Sequence, residues 1–382
     1  MLPRDAPLIS VNDHLFEPAD LWTSRLPRRV AEQVPRVVRT ESGLDAWRFG
    51  SQQIELPALS ILADKPSANE VRLAHRSDEV MPSAFDPIAR LAAMDGDGVA
   101  VHTLLPHACG FAGQRLAELG DAALWADCVR AYNDFLLGEF CAVDPMRLLG
   151  IALLPLADPQ AAAEEIERVA RLGARGLSFP HDPAGLGLPG FGSETWQPLF
   201  AAAEAADLPL FIHLGTGARV WAGVPPEARP PLGVLLTLVN VDVMQAASEL
   251  AFSPVFTRHP RLRALLIEGG AGWLPYLRER MDYFWRRRED VVVPGAAAEV
   301  APSEILRSHV WTSLIDDPAG IRQRAEIGVD RLVWQSDFPH SDSFWPDSRG
   351  HLEALLADVP DEEARAIAGG NARALLGLDR NV

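Results

Sequence analysis

Leu332-Val333-Trp334-Gln335-Ser336-Asp337 is an apolar run that ends on a carboxylate. Two stretches far away in the chain share that plan, Ile9-Ser10-Val11-Asn12-Asp13-His14 and Leu210-Phe211-Ile212-His213. Each reads as a short buried strand that delivers a metal-competent side chain at its carboxyl end. A parallel barrel gathers such ends at one mouth, where barrel enzymes keep their active sites. Two imidazoles and a carboxylate meeting there suit a zinc-like cation with one position open for water or substrate.

Working outward, short apolar strands alternate with helical patterns from about residue 86 onward. A helix over 87–94 leads into Val99-Ala100-Val101-His102-Thr103-Leu104, and an amphipathic stretch over 121–140 precedes Leu148-Leu149-Gly150-Ile151-Ala152-Leu153. Residues 161–172 lead to Gly176-Leu177-Ser178-Phe179, and 196–206 lead to the strand ending at His213. Arg263-Ala264-Leu265-Leu266-Ile267-Glu268, a helix over 274–288, His309-Val310-Trp311-Thr312-Ser313 and the strand over 331–335 complete the series. With the first strand this makes about eight strands separated by helices, the pattern of a (β/α)8 TIM barrel, an α/β fold. A doubly wound open sheet is the alternative, because periodicity does not report closure. The chain, 1–382, reads as one barrel domain without internal repeats.

Two segments interrupt the alternation, about 15–85 and 214–235. The first holds a possible hairpin, Ala46-Trp47-Arg48-Phe49-Gly50 and Ile54-Glu55-Leu56, and the second is Gly- and Pro-rich around Trp221. Long irregular loops in a compact domain are often functional. Both follow strands with candidate ligands, so both are expected to overhang the mouth as lids; surface decoration or a subunit contact is the other reading. Trp22, Trp47 and Trp221 would give the pocket planar apolar walls, although tryptophans also anchor loops.

The chain has 382 residues, 48% hydrophobic and 23% charged, ordinary values for a globular protein. A formal charge of −17 argues against general binding to nucleic acid or an anionic membrane. Cys109, Cys128 and Cys141 have no C-x-x-C spacing, so a reducing compartment is expected. The start lacks a signal-peptide plan, and no apolar run approaches the roughly 20 residues of a membrane span. A cytoplasmic enzyme of small molecules is the expectation.

Each candidate has a bland alternative. His14 is a ligand, with Asn12 two positions away on the same strand face, or the pair caps the strand. His213 is a ligand or a hydrogen-bonded core histidine. Asp337 is the strongest position, because a carboxylate at a buried strand end is costly without a cation or hydrogen bonds; otherwise it caps a following helix. Glu268 serves as a base, a substrate contact or the partner of an arginine. His340, His181 and His107 also follow strands, and the last two read more simply as loop residues. No P-loop, Gly-x-Ser-x-Gly elbow or dinucleotide fingerprint occurs, which disfavours nucleotide-dependent and serine-nucleophile chemistry.

These residues resemble the amidohydrolase-related family that includes aminocarboxymuconate-semialdehyde decarboxylase. The matching segments run from Ile9-Ser10-Val11-Asn12-Asp13-His14 through Glu268-Gly269-Gly270-Ala271-Gly272-Trp273 and Trp334-Gln335-Ser336-Asp337-Phe338-Pro339-His340 to Gly370-Asn371-Ala372-Arg373. The resemblance implies a (β/α)8 barrel with a single divalent metal, and commonly a homodimer. It places the family's first-strand pair on Asn12 and His14, its fifth-strand ligand on His213 and its eighth-strand aspartate on Asp337. There are two departures: Asn12 stands where Asp, Glu or His is usual, and Glu268 where characterised decarboxylases carry a catalytic histidine.

The leading expectation is a metal-dependent hydrolase of a small cyclic or aromatic carboxylate-bearing substrate. Zinc, or else manganese or iron, would be held by Asn12, His14, His213 and Asp337, with Asp337 also taking a proton from an activated water. Glu268, with His340 or His181, would orient substrate or protonate the leaving group. The alternatives are non-oxidative decarboxylation in the same pocket, and a metal-free barrel with a binding role.

Overall fold

The computed structural model describes residues 2–55, 79–217, 228, 230–287 and 300–379. Eight parallel strands form the barrel: β1 (Leu8–Leu15), β5 (Val99–Pro106), β6 (Leu148–Ala152), β7 (Gly176–Ser178), β8 (Leu210–His213), β9 (Ala264–Ile267), β10 (Val310–Leu314) and β11 (Leu332–Trp334). They pair in that order. Closure is made just beyond β11, where Asp337 N–H donates to Asn12 O at 2.9 Å and His14 N–H to Phe338 O at 2.7 Å. The fold is a nearly closed (β/α)8 barrel, as the alternation predicts, and the open-sheet alternative falls away.

Inside the barrel, Ile9, Val11, Val101, Leu149, Phe211, Leu265, Ile267 and Val333 form a packed core with Leu375 and Leu376. A larger apolar layer fills the space between strands and outer helices. Ile9 and Val11 face inward, which by strict alternation would turn Asn12 and His14 outward. A register shift against β5 between Ser10 and Asp13 reverses this. Such a bulge re-aims the side chains that follow it, and Asn12 and His14 therefore point into the mouth.

The opposite face of β1 carries Asp13 towards Arg90 of the helix Pro87–Asp97. Arg90 on that helix is fully buried and donates to His14 O and Ser83 O, each at 2.6 Å, and lies over the Phe338 ring. This cation fixes the end of β1 from behind. Glu17, also fully buried, accepts the backbone N–H groups of His107, Ala108 and Cys109 at 3.2, 2.7 and 3.3 Å. It thereby ties the first segment to the turn after β5. Removing that acceptor strands three buried donors, at about 1–3 kcal/mol each before relaxation. Glu17→Ala is expected to lose about 3 kcal/mol of stability in urea unfolding, with Glu17→Gln losing less.

The first interruption contains a three-stranded antiparallel sheet, β2 (Arg36–Arg39), β3 (Asp45–Phe49) and β4 (Gln52–Glu55). The expected hairpin is present with a third strand added; Leu56 lies outside the described residues. Trp22 and Trp47 are not pocket walls. They are buried edge to face, 5.5 Å apart, and Trp22 Nε1–H donates to Cys128 O at 3.0 Å. They anchor the loop instead. Trp221 lies outside the described residues.

The expectation of no span-length apolar run also needs correcting. Gly233–Phe252, 20 residues with mean hydropathy 1.3, is long and apolar enough by length and composition alone. It joins the helices Leu232–Leu238 and Val241–Phe252, and Val243, Ala246, Ala247 and Leu250 of the second are buried in the core of the fold. Packing accounts for the second helix's inner face, while Val234, Leu236, Leu238 and Val241 are exposed.

Candidate active site

At the mouth, ligand-type atoms of His14, Glu268, Asp337 and His340 all lie within 4.8 Å of one another. Asp337 is the hub. Its Oδ1 accepts the Asn12 amide N–H at 3.0 Å and lies 3.2 Å from His14 Nε2, while its Oδ2 pairs with His340 Nδ1 at 3.0 Å. His14 and His340 stack with ring centres 3.8 Å apart. His213 stands one step out, its Nε2 2.8 Å from Glu268 Oε2.

Two of these residues adopt backbone conformations that side chains other than glycine rarely take: Glu268 at φ 67° and Asp337 at φ 59°. Left-handed backbone at such residues costs on the order of 1–3 kcal/mol and concentrates at functional sites. Ile267 already faces the barrel interior, so regular β9 geometry would turn Glu268 outward; the twist brings its carboxylate back over the mouth. Asp317 holds the following glycine turn, accepting Ala271 N–H at 2.6 Å and Gly272 N–H at 3.0 Å. Gly269 must be glycine, since a Cβ there would collide with Val243.

The polar atoms at the centre are buried without hydrogen-bond partners: both ring nitrogens of His14, Nε2 of His213 and His340, Oε2 of Glu268 and Oδ1 of Asn12. His14 Nε2 is near Asp337, and His213 Nε2 near Glu268, yet neither pair meets hydrogen-bond geometry. Lone pairs and carboxylate oxygens that converge without bonding one another fit a shared cation. Burial, reinforced by His340 and His213, holds His14 well below the ordinary imidazole range, leaving it neutral. Burial also acts downward on His340, but Asp337 beside it, with Glu268 behind, raises it overall.

The sequence candidates thus divide. His14, Asp337, Glu268 and His340 converge. His213 reaches that group through Glu268, and Asn12 touches it by donating to Asp337. His181 is held elsewhere: its Nδ1 accepts Thr216 N–H at 3.1 Å and its Nε2 faces Asp242 at 3.6 Å. Set aside in the sequence as a loop residue, His107 is buried 6.0 Å from His340 with both ring nitrogens unpartnered. Phe111 carries no signal in the sequence, yet its ring lies 4.1 Å from His213 and 4.6 Å from His14. Nothing local distinguishes Phe111 from other loop aromatics; only the fold brings it there.

Beside this cluster opens a cavity of about 530 Å³, walled by Leu214, Val239, Trp273 and Ile315 and bordered by Glu268 and Asp337. It is large enough for a single aromatic ring with its substituents.

A parallel barrel with convergent imidazoles and carboxylates at its carboxyl-terminal mouth, opening on a ring-sized cavity, defines a barrel enzyme acting on a small molecule. Residues 29–378 match the amidohydrolase family model, and the chain belongs to that family. A γ-resorcylate decarboxylase from a Rhizobium species is 28% identical over 299 residues, covering 73% of this chain and 85% of that protein. Among solved structures, an amidohydrolase from Mycobacterium avium subsp. paratuberculosis is 24% identical with a TM-score of 0.79, covering 98% of this chain and 99% of that one. A dihydroxybenzoic acid decarboxylase from a Polaromonas species, solved with manganese and 2-nitroresorcinol, is 20% identical with a TM-score of 0.63 and covers 98% of both chains.

Proposed function

We propose that this enzyme releases carbon dioxide non-oxidatively from a hydroxylated aromatic acid. The observation that carries the choice is the decarboxylase activity of the Rhizobium relative, aligned over 73% of the chain. It favours the reading that the sequence placed second, and hydrolysis drops behind it. The arrangement at the mouth agrees, because a proton carrier borders the cavity: Glu268, with His213 2.8 Å behind it.

A divalent ion would be held by His14, Asp337 and His340, leaving Glu268 at the cavity edge, with His213 beside it, as the proton donor. Nitrogen and oxygen donors together suit manganese, zinc or iron, and manganese gains weight from the Polaromonas relative. When bound, the ion would supply positive charge that stabilises an anionic substrate. The residues supply the rest. Glu268 gives its proton to the ring carbon that bears the carboxylate, forming the new C–H bond. The C–C bond then breaks, its electron pair restores the aromatic ring, and carbon dioxide leaves. Glu268 regains its proton from solvent, with His213 oriented to assist.

Chelation is the direct test. Treated protein is expected to lose carbon dioxide release from 2,6-dihydroxybenzoate about 100-fold and to regain it with manganese. Because an ion that binds only the folded chain stabilises it, the free energy of unfolding should rise on reloading, by about 2.7 kcal/mol at a hundredfold excess over Kd. Unchanged release after verified metal removal would contradict the reading. Oxygen-18 from solvent appearing in the aromatic product would return the case to hydrolysis.

A further inference from the structure

We propose that Gln335 reads a ring hydroxyl of the bound substrate, through its side-chain amide N–H groups. Val333, Gln335 and Asp337 share the inward face of β11 and its continuation, and Val333 belongs to the interior core. Gln335 is fully buried one step below Asp337. A glutamine there interrupts an otherwise apolar interior, so its polar ends must be satisfied or used.

One end is satisfied. Gln335 Oε1 accepts Glu268 N–H at 3.2 Å and also contacts the Ser313 hydroxyl. The Glu268 N–H, shared with Ser313 Oγ at 2.9 Å, can only donate, and an amide nitrogen facing it would set donor against donor, which places the oxygen at this end. The Nε2 end consequently points the other way. It is buried, has no partner, and belongs to a residue that lines the cavity beside Glu268 and Asp337.

The remaining polar lining defines what this amide can hold. Asn240 and the carboxylates Glu268, Asp316, Asp317, Asp337 and Asp342 all border the cavity, and among its described lining residues there is no lysine or arginine. A second carboxylate on the ring would satisfy Gln335 but would meet those negative charges. A hydroxyl accepts from Nε2 and can donate its own hydrogen to a carboxylate. This end of the cavity therefore selects hydroxyl over carboxylate, while the ring's reacting carboxylate is left to the cation cluster. The inference deepens the decarboxylase reading and rests on it for the identity of the ring.

The test is equilibrium binding by calorimetry, using manganese-loaded protein with 2,6-dihydroxybenzoate, benzoate and isophthalate as probes. The wild type is expected to bind the dihydroxy probe at least about tenfold more tightly than either of the others. Gln335→Glu keeps an acceptor for Glu268 N–H but removes the amide donors; Gln335→Met removes both. Each is expected to shrink the preference to about threefold or less; benzoate stays nearly unchanged in Gln335→Met, whereas the added charge of Gln335→Glu weakens all three anionic probes together. Thermal midpoints report any loss of fold, and if Gln335→Met does not fold, Gln335→Glu decides. Preference retained in the folded variants, or absent from the wild type, overturns the inference. A preference lost in the variants with no carbon dioxide from any probe leaves Gln335 as the hydroxyl reader and sinks the decarboxylase reading alone.

Discussion

Asp337→Asn is expected to lower turnover of a hydroxybenzoate about 1,000-fold and to strip most of the metal from the protein. Asp337 is 1% exposed and serves three neighbours at once: Asn12, His14 and His340. Asparagine has the same shape, so the barrel seam closed by Asp337 N–H on Asn12 O can survive. The chemistry of the side chain cannot. One end becomes an amide donor, set against either the Asn12 amide or the His340 ring. The negative charge beside His340, which opposes the effect of burial, disappears, and so does the charge that would hold a cation. Metal content per chain, measured with kcat, checks the expectation. A folded variant with full metal and full turnover would remove Asp337 from the site.

Asp337 was also the most legible position, and the reason is physical. A carboxylate that closes a buried strand demands compensation, and this demand shows in six residues of sequence. The alternation of strands and helices was legible for the same kind of reason, since burial on both faces of a parallel strand gives continuous apolar runs. What escaped notice depends on contacts between distant segments. The bulge that turns Asn12 and His14 inward exists only in the register of β1 against β5. The inward turn of Glu268 depends on a left-handed residue, which its side-chain type does not announce. Trp22 and Trp47 were expected around the pocket because large aromatics suit lids, but pairing with each other and with Cys128 O won. Gln335 carries no reading in the sequence beyond its place before Asp337; its unused amide depends on Ser313 and Glu268 occupying the other end.

Glu268→Gln separates two roles that meet in one residue. Glu268 belongs to the convergent group and also borders the cavity, with its side chain 22% exposed there. Glutamine retains an oxygen for a cation but has no proton to give to a ring carbon. Turnover is expected to fall about 100- to 1,000-fold, while metal content and the Kd of 2,6-dihydroxybenzoate change by less than about threefold. That split would contrast with Asp337→Asn, where metal and turnover fall together. The contrast follows from position: Asp337 is enclosed by three partners, whereas the Glu268 carboxylate pairs directly with His213 and has an open side facing substrate. Were Glu268→Gln to lose its metal in step with its activity, Glu268 would be a ligand first. The proton for the ring would then have to come from another group, and His340, raised by Asp337 and already inside the cluster, is the next one placed to give it.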